Sequence, residues 1–232
     1  MSNILYCIVA HDIKIIEYCE KTEKYKPLPN YKYILVGNQD KDYSNEYIIQ
    51  ADLLPDNIEK FNNYLAYTAW WAVGKNLMGD IHEDYVFFLE YDSDIVNIDK
   101  LSLMENYITS SEIEVFGTDS LPTTTCFVND DNFMVKLLGY KDSGFWMVTN
   151  NICFSKNALI QFINDPILLE VFNILGNGVG TGHELERYTT LYCASRGLTF
   201  GIIEPKCFEH IAMDSHNTQG RFHIYETFKN NL

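Results

Sequence analysis

Three carboxylates alternate along residues 87 to 96, FFLEYDSDIV, directly after an apolar run. Alternate residues of an extended chain face the same way, so Asp92 and Asp94 are expected to point together while Ser93 points back. Clustered carboxylates repel one another unless a cation, a proton or hydrogen bonds relieve them. Mn²⁺ or Mg²⁺ would provide that relief, since these ions prefer oxygen ligands and bridge carboxylates to phosphates. The alternative is a strand that ends in an Asx-type turn with exposed aspartates and no metal.

The surrounding pattern predicts the elements that carry these side chains. Apolar strand-like runs alternate with helical ones, which is typical of an α/β fold with a mostly parallel sheet flanked by helices. Such sheets bind ligands at the carboxyl ends of their strands, where the acidic run lies. Strands are predicted at 3–10, 31–38, 46–51, 85–94, 113–118, 144–155 and 199–204. Helices are predicted at 14–23, about 58–77, near 97–109, 156–164, 166–175 and 183–197.

The composition narrows the function classes. The chain of 232 residues has 32 acidic and 17 basic residues and no basic cluster, which argues against binding nucleic acid. A phosphate ligand would therefore need positive charge supplied locally, by a metal ion, a few basic side chains or helix N-termini.

No internal repeat or linker divides residues 1–232, so a single domain is expected. No apolar run is long enough to span a membrane, and the N-terminus lacks the features of a signal peptide, so a cytoplasmic location is expected. The six cysteines lack metal-site spacing and are expected to be reduced.

Several segments resemble the nucleotide-sugar glycosyltransferases that have the GT-A fold. FFLEYDSDIV resembles the D-x-D motif of that superfamily, and residues 57–76, NIEKFNNYLAYTAWWAVGKN, resemble the helix that precedes it. Residues 143–159 are similar to a segment where a strand ends in Ser and enters a helix. The resemblance implies one Rossmann-like GT-A domain. It also implies a hexose transfer from a nucleoside-diphosphate sugar, UDP-sugar by default, to a hydroxyl of a glycan or glycoconjugate acceptor.

The resemblance also implies roles for individual residues. Mn²⁺ or Mg²⁺ would bridge the aspartates to the donor diphosphate, with Asp94 as a direct ligand and Asp92 contacting the metal or the ribose. The pair Glu90 and Asp92 fits the same spacing, and the sequence leaves that choice open. A late histidine often completes such a site, and His210 fits that placement better than His216. The residues at strand ends or near the diphosphate that would contact the donor are His11, Asp12, Gly37, Asn38 and Lys206.

A glycine-rich segment, GNGVGTG at 176–182, precedes the last predicted helix. Its spacing matches neither the dinucleotide-binding nor the phosphate-loop motif. Thr181 and Glu184 fit a capping box, which needs no function. Inverting members of the GT-A superfamily carry an acid at the start of a late helix, where it removes the proton of the acceptor hydroxyl. The resemblance therefore makes Glu184 the first candidate for the catalytic base and Glu186 the second.

Two other functions compete with this interpretation. Asp92, Asp94 and Val96 fit the D-x-D-x-[TV] motif of haloacid-dehalogenase-like phosphatases, with Asp92 as nucleophile and Asp94 as acid and base. That family places the motif at its first core strand, whereas at least two predicted strands precede it here. The other competitor is a non-catalytic module that binds sugars or nucleotides on the same fold.

Overall fold

A seven-stranded mixed sheet organises the computed structural model, which describes residues 3–61, 65–75, 79, 81–122, 133–139, 144–176 and 181–210. The strands of this sheet lie in the order β10-β6-β9-β4-β1-β2-β3, and only β9 runs against the others. They are β1 (Ile4–Ala10), β2 (Tyr31–Leu35), β3 (Ile48–Gln50), β4 (Tyr85–Glu90), β6 (Val115–Gly117), β9 (Asn151–Ser155) and β10 (Phe200–Ile202). The predicted mostly parallel α/β sheet is thereby confirmed.

Four short strands form two separate pairs. β5 (Ser93–Ile95) pairs with β11 (Phe208–His210), and β7 (Ser120–Pro122) pairs with β8 (Phe145–Met147), both antiparallel. The helices are α1 (Ile13–Lys21), α2 (Leu65–Gly74), α3 (Leu101–Ser110), α4 (Phe133–Leu138), α5 (Lys156–Asn164), α6 (Pro166–Leu175) and α7 (Thr181–Arg196). Helices therefore flank the large sheet as the sequence predicts.

The core has two layers, one on each face of the large sheet. β1 is buried along its whole length, and its alternate residues enter different layers, with Leu5 and Cys7 in one and Ile4 and Tyr6 in the other. The first layer is closed by α2, α5 and α7, and the second by α1 and α3. This division follows from the two-residue side-chain period of a strand that is covered on both faces.

The structure corrects several predicted boundaries. Residues 58–61, predicted as helical, form a turn because Ile58 and Phe61 are buried and the Glu59 carboxylate accepts a hydrogen bond from the Gly37 amide. The predicted strand 144–155 is two strands, β8 and β9, that belong to different sheets. β7, α4 and β11 arise in segments without a clear sequence pattern. β11 matters most for the site, because it ends at His210.

Within the described ranges, no single helix is both long and apolar enough to cross a bilayer; α5 and α6 meet that test only when taken together, across a bend of 58°. The five cysteines in these ranges are unpaired and buried, at positions 7, 19, 153, 193 and 207. Cys126 lies outside the described residues.

Candidate active site

A tight turn follows β4 and separates two candidate ligands. β4 ends at Glu90, Tyr91 and Asp92 form the turn, and β5 starts at Ser93 in a different sheet. The prediction of one extended strand through this segment is wrong, so the expected alternation does not hold. Because the chain turns between them, the side chains of Glu90 and Asp92 face one another.

The third member of the group arrives from the end of β11. The antiparallel pairing of β11 with β5 places His210 opposite Ser93, next in sequence to Asp92. The His210 Nε2 atom lies 3.0 Å from Glu90 Oε2 and 3.0 Å from Asp92 Oδ1. Sequence reasoning placed His210 here through the family resemblance alone, and β11 is the element that brings it to the turn.

These three side chains meet the geometric requirements of a divalent metal site. Among the described residues, Glu90, Asp92 and His210 form a group of three whose ligand atoms all lie within 4.8 Å of one another. Ligands at about 2.1 Å from an octahedral ion are separated by about 3.0 Å along each edge, which matches the two measured distances. Asp92 Oδ1 is buried and accepts no hydrogen bond of good geometry. A cation would satisfy this oxygen, so the residues fit Mn²⁺ or Mg²⁺.

The two carboxylates of this group favour a positive charge between them, either a proton on His210 or a metal ion. Burial lowers the pKa of His210, but the adjacent Asp92 and Glu90 carboxylates outweigh burial and raise this pKa to about 9. The imidazole therefore carries a proton at neutral pH when no metal is bound. A metal would replace that proton and neutralise the same two carboxylates, since a ligating histidine must be deprotonated.

Residues 149 and 150, between β8 and β9, link this group to Glu186. Asn150 Nδ2 lies 3.2 Å from Glu90 Oε2 and 3.2 Å from His210 Nε2. The neighbouring Thr149 hydroxyl donates to Glu186 Oε1 at 3.4 Å. The structure therefore brings Glu186, on α7, to the segment that touches the candidate metal ligands. α7 also contains Glu184, whose side chain lies outside the described part of the structure.

The structure does not bring Asp94 into the group. Its carboxylate is 51% exposed and forms an ion pair with Lys24, with Oδ1 and Nζ 3.0 Å apart. Asp94 lies within β5, where it is paired in register with Glu209. The structure therefore groups Asp92 and His210 with Glu90, the residue that the same spacing left open, and not with Asp94, the sequence-based choice of direct ligand.

Two of the predicted donor contacts, His11 and Asn38, lie at the ends of β1 and β2. The His11 ring lies edge-on to Tyr91 with centroids 5.3 Å apart, beside the turn. Burial lowers the pKa of His11, although the carboxylates of Asp12, Asp92 and Glu90 oppose that shift. Asn38 is exposed. The ring of His11 and the side chain of Asn38 are thus placed at the same end of the parallel strands as the acidic group.

Three other predicted contacts already have partners within the protein. The Gly37 amide donates to the buried Glu59 carboxylate at 2.5 Å. The Asp12 carboxylate accepts from the Lys14 amide at 2.9 Å and so caps α1. Lys206 Nζ lies 2.9 Å from both carboxylate oxygens of Asp119. His216 lies outside the described residues.

Sequence reasoning missed Asn150 and the residues that hold the turn. The only available signal was the polar run Thr-Asn-Asn at 149–151, which interrupts an otherwise apolar strand pattern. A polar break between apolar runs marks a strand boundary, and such boundaries at sheet edges carry binding residues.

No protein-family model and no curated protein matches this sequence. Among solved structures, the WbbM bifunctional glycosyltransferase is similar with a TM-score of 0.54 and 15% identity, covering 88% of this chain and 45% of WbbM. A glycosyltransferase involved in the glycosylation of the major capsid of PBCV-1 has a TM-score of 0.46 and 12% identity, with 87% and 82% coverage. The galactosyltransferase LgtC, in complex with donor and acceptor sugar analogues, has a TM-score of 0.41 and 10% identity, with 85% and 72% coverage.

The likeness to WbbM concerns the fold, because 15% identity is too low to carry over substrates. The chain also spans less than half the length of WbbM. The mixed sheet with one reversed strand, the flanking helices and the acidic turn after β4 agree with the resemblance seen in the sequence. The chain has the GT-A glycosyltransferase fold.

Proposed function

We propose that this protein is a metal-dependent glycosyltransferase. It transfers a hexose from a nucleoside-diphosphate sugar, with a UDP-sugar as the first donor to test, to a hydroxyl of a glycan or glycoconjugate acceptor. The observation that carries the proposal is the convergence of Glu90, Asp92 and His210 at the carboxyl end of β4 in a GT-A fold. Parallel sheets place ligands at that end of their strands.

Glu90, Asp92 and His210 would hold Mn²⁺ or Mg²⁺. When bound, such an ion neutralises negative charge on the departing nucleoside diphosphate. Asn150 Nδ2, which lies 3.2 Å from Glu90 Oε2, orients that carboxylate by donating a hydrogen bond to it. Asp94 takes no part in this set, because Lys24 already neutralises it.

The donor's nucleoside would lie along the ends of β1 and β2, beside His11 and Asn38. The backbone amide of Gly37 is not available to the nucleoside, since it already donates a hydrogen bond to the Glu59 carboxylate. Lys206 could reach a phosphate only by leaving Asp119, so we assign it a secondary contribution to donor binding.

Glu186 is the candidate base that takes the proton of the acceptor hydroxyl. The Thr149 hydroxyl contacts its carboxylate, and Thr149 is adjacent to Asn150, which touches the metal group. This adjacency supports the assignment, because a base must come within hydrogen-bond reach of the hydroxyl whose proton it takes. Glu184, two residues nearer the start of α7, is the second candidate.

The proposal is tested by measuring thermal stabilisation with a panel of nucleotide sugars, in MnCl₂ and in EDTA, followed by assays of sugar transfer. We expect stabilisation that requires both a nucleotide sugar and Mn²⁺, and its loss in Asp92→Asn. Asp99→Asn, at an exposed position seven residues on, removes the same charge and should retain the effect. Metal-independent binding would indicate a binding module, and phosphate release from sugar phosphates would indicate a phosphatase; either result would refute the proposal.

A further inference from the structure

Between Glu90 and Ser93 the chain passes from the large sheet into the β5–β11 pair, with only two residues between the strands. The Glu90 amide donates to the Asn150 carbonyl at 3.2 Å, and the Tyr91 amide donates to the Val9 carbonyl at 3.0 Å. The carbonyls of the turn lie where the chain leaves one sheet and enters another. Buried carbonyls need donors, so these groups must be satisfied from outside the turn.

One buried side chain meets three of these carbonyls. The Tyr25 hydroxyl lies 2.9 Å from the carbonyl oxygens of Tyr91 and Ser93 and 3.3 Å from that of Glu90. Because a phenol has one hydrogen to donate, this hydroxyl is shared among three converging carbonyl dipoles, and Lys24 Nζ also donates to the Tyr91 carbonyl at 3.1 Å. Removing the hydroxyl would leave the Glu90 and Ser93 carbonyls without this donor.

A second buried side chain holds the same turn. Asn151 Oδ1 accepts a hydrogen bond from the Ser93 hydroxyl at 2.6 Å and another from the Glu90 amide at 3.3 Å. Asn151 and Ser93 are both fully buried. Tyr25 therefore contacts the carbonyls at both ends of the turn, and Asn151 contacts polar groups of the same two residues.

From these contacts we infer that Tyr25 and Asn151 are positioning residues, which fix the Glu90–Ser93 turn so that Glu90 and Asp92 face one small cation. The inference rests on the proposed function, because it assigns these two residues to the proposed metal group. A turn held on both sides keeps the carboxylates at the short spacing that Mn²⁺ and Mg²⁺ require. Ca²⁺ accepts longer and more variable ligand distances, so a loosened turn would discriminate less against it.

The experiment compares Tyr25→Phe and Ser93→Ala with the wild type and with Tyr6→Phe. Tyr6 lies in the same core layer as Tyr25 and is also fully buried, but its hydroxyl donates to Glu105 at 3.0 Å and not to a carbonyl of the turn. Tyr6→Phe is therefore a matched loss of one buried hydroxyl. Binding of MnCl₂ alone is measured from the electron paramagnetic resonance signal of free Mn²⁺, with CaCl₂ as competitor, and thermal stability is measured in parallel.

We expect Tyr25→Phe and Ser93→Ala to weaken Mn²⁺ binding about 10-fold or more, the effect typical of outer-shell partners. Their preference for Mn²⁺ over Ca²⁺ should fall as well, while Tyr6→Phe keeps the wild-type values despite losing stability. Ser93→Ala keeps the test valid if Tyr25→Phe does not fold. If both variants bind Mn²⁺ and Ca²⁺ as Tyr6→Phe does, the positioning role is refuted, while the proposed metal group stands. If the wild type does not bind Mn²⁺ saturably, the proposed metal group fails and the inference fails with it.

Discussion

The choice between Glu90 and Asp94 as the second carboxylate ligand gives the sharpest test of the structure. Both residues can be neutralised by a change of nearly equal shape, Glu90→Gln and Asp94→Asn. In the structure only Glu90 lies in the group, with Oε2 3.0 Å from His210 Nε2. Asp94 is half-exposed and bound to Lys24. We expect Glu90→Gln to lose metal binding and Asp94→Asn to keep it.

The size of the effect follows from mass action. Removing an outer-shell partner costs about 10–100-fold in metal affinity, so removing one of three direct ligands should cost at least about 100-fold. At a free Mn²⁺ concentration of about 100 times Kd, binding stabilises the wild type by about 2.7 kcal/mol. After a 100-fold loss of affinity, the same concentration stabilises by only about 0.4 kcal/mol. For a chain of this size, these values correspond to Tm increases of about 5–11 °C and about 1–2 °C.

Asp94→Asn serves as the matched control. The Asp94–Lys24 ion pair joins a half-exposed carboxylate to a mostly buried lysine, and an ion pair that solvent reaches contributes about 0–1 kcal/mol. Its loss should lower Tm slightly without changing the increase caused by Mn²⁺. The assay is a thermal melt of each variant over a series of MnCl₂ concentrations, with MgCl₂ and EDTA in parallel. The assignment is wrong if Asp94→Asn abolishes the Mn²⁺-dependent increase while Glu90→Gln retains it.

Three further changes test the surroundings of the site. Glu186→Gln should lower the rate of sugar transfer by about 10²–10⁴-fold and leave donor-induced thermal stabilisation unchanged; loss of donor binding instead would contradict its role as a base. Tyr67→Phe removes a hydroxyl 3.4 Å from Thr149 and 3.2 Å from Thr189, so urea denaturation should show a loss of about 0.5–1.5 kcal/mol. Gly74→Ala should destabilise by about 1–3 kcal/mol in the same assay, because a Cβ there would lie 2.5 Å from an Ile163 side-chain carbon, and an unchanged midpoint would show that α2 and α5 can separate.

The large sheet could be predicted from sequence because burial on both faces leaves a strong signal. Runs such as ILYCIVA and YVFFLE are apolar at nearly every position, which is typical of central strands in a parallel sheet. β7 and β11 escaped prediction for the opposite reason. Three-residue strands such as Phe208–His210 are too short to show a period, and β11 exists because β5 offers it a partner.

One part of the candidate site could be predicted from the sequence and another part could not. The sequence pointed to Asp92 and His210, the first through the acidic run and the second through the family resemblance, and the structure brings both into the candidate group. It also pointed to Asp94, which the structure leaves outside the group because the chain turns where a continuing strand was expected. A turn between Glu90 and Ser93 depends on Tyr25 and Asn151, which lie 65 or more and 58 residues or more away along the chain. No local sequence pattern could show these contacts.

The charge balance of the chain supports the proposal that a cation binds at this site. The chain has a formal net charge of −15, and a nucleoside diphosphate would add further negative charge. Of the basic groups that the described residues place near the turn, Lys24 is neutralised by Asp94 and Lys206 by Asp119. Because both lysines are already paired, they do not supply free positive charge for a diphosphate. The acidic group would supply it indirectly, by binding a metal ion. Since a divalent ion would neutralise two carboxylates and still bridge to phosphate oxygens, the acidity of the turn becomes a requirement for donor binding. The same carboxylates would repel the donor if no metal were present.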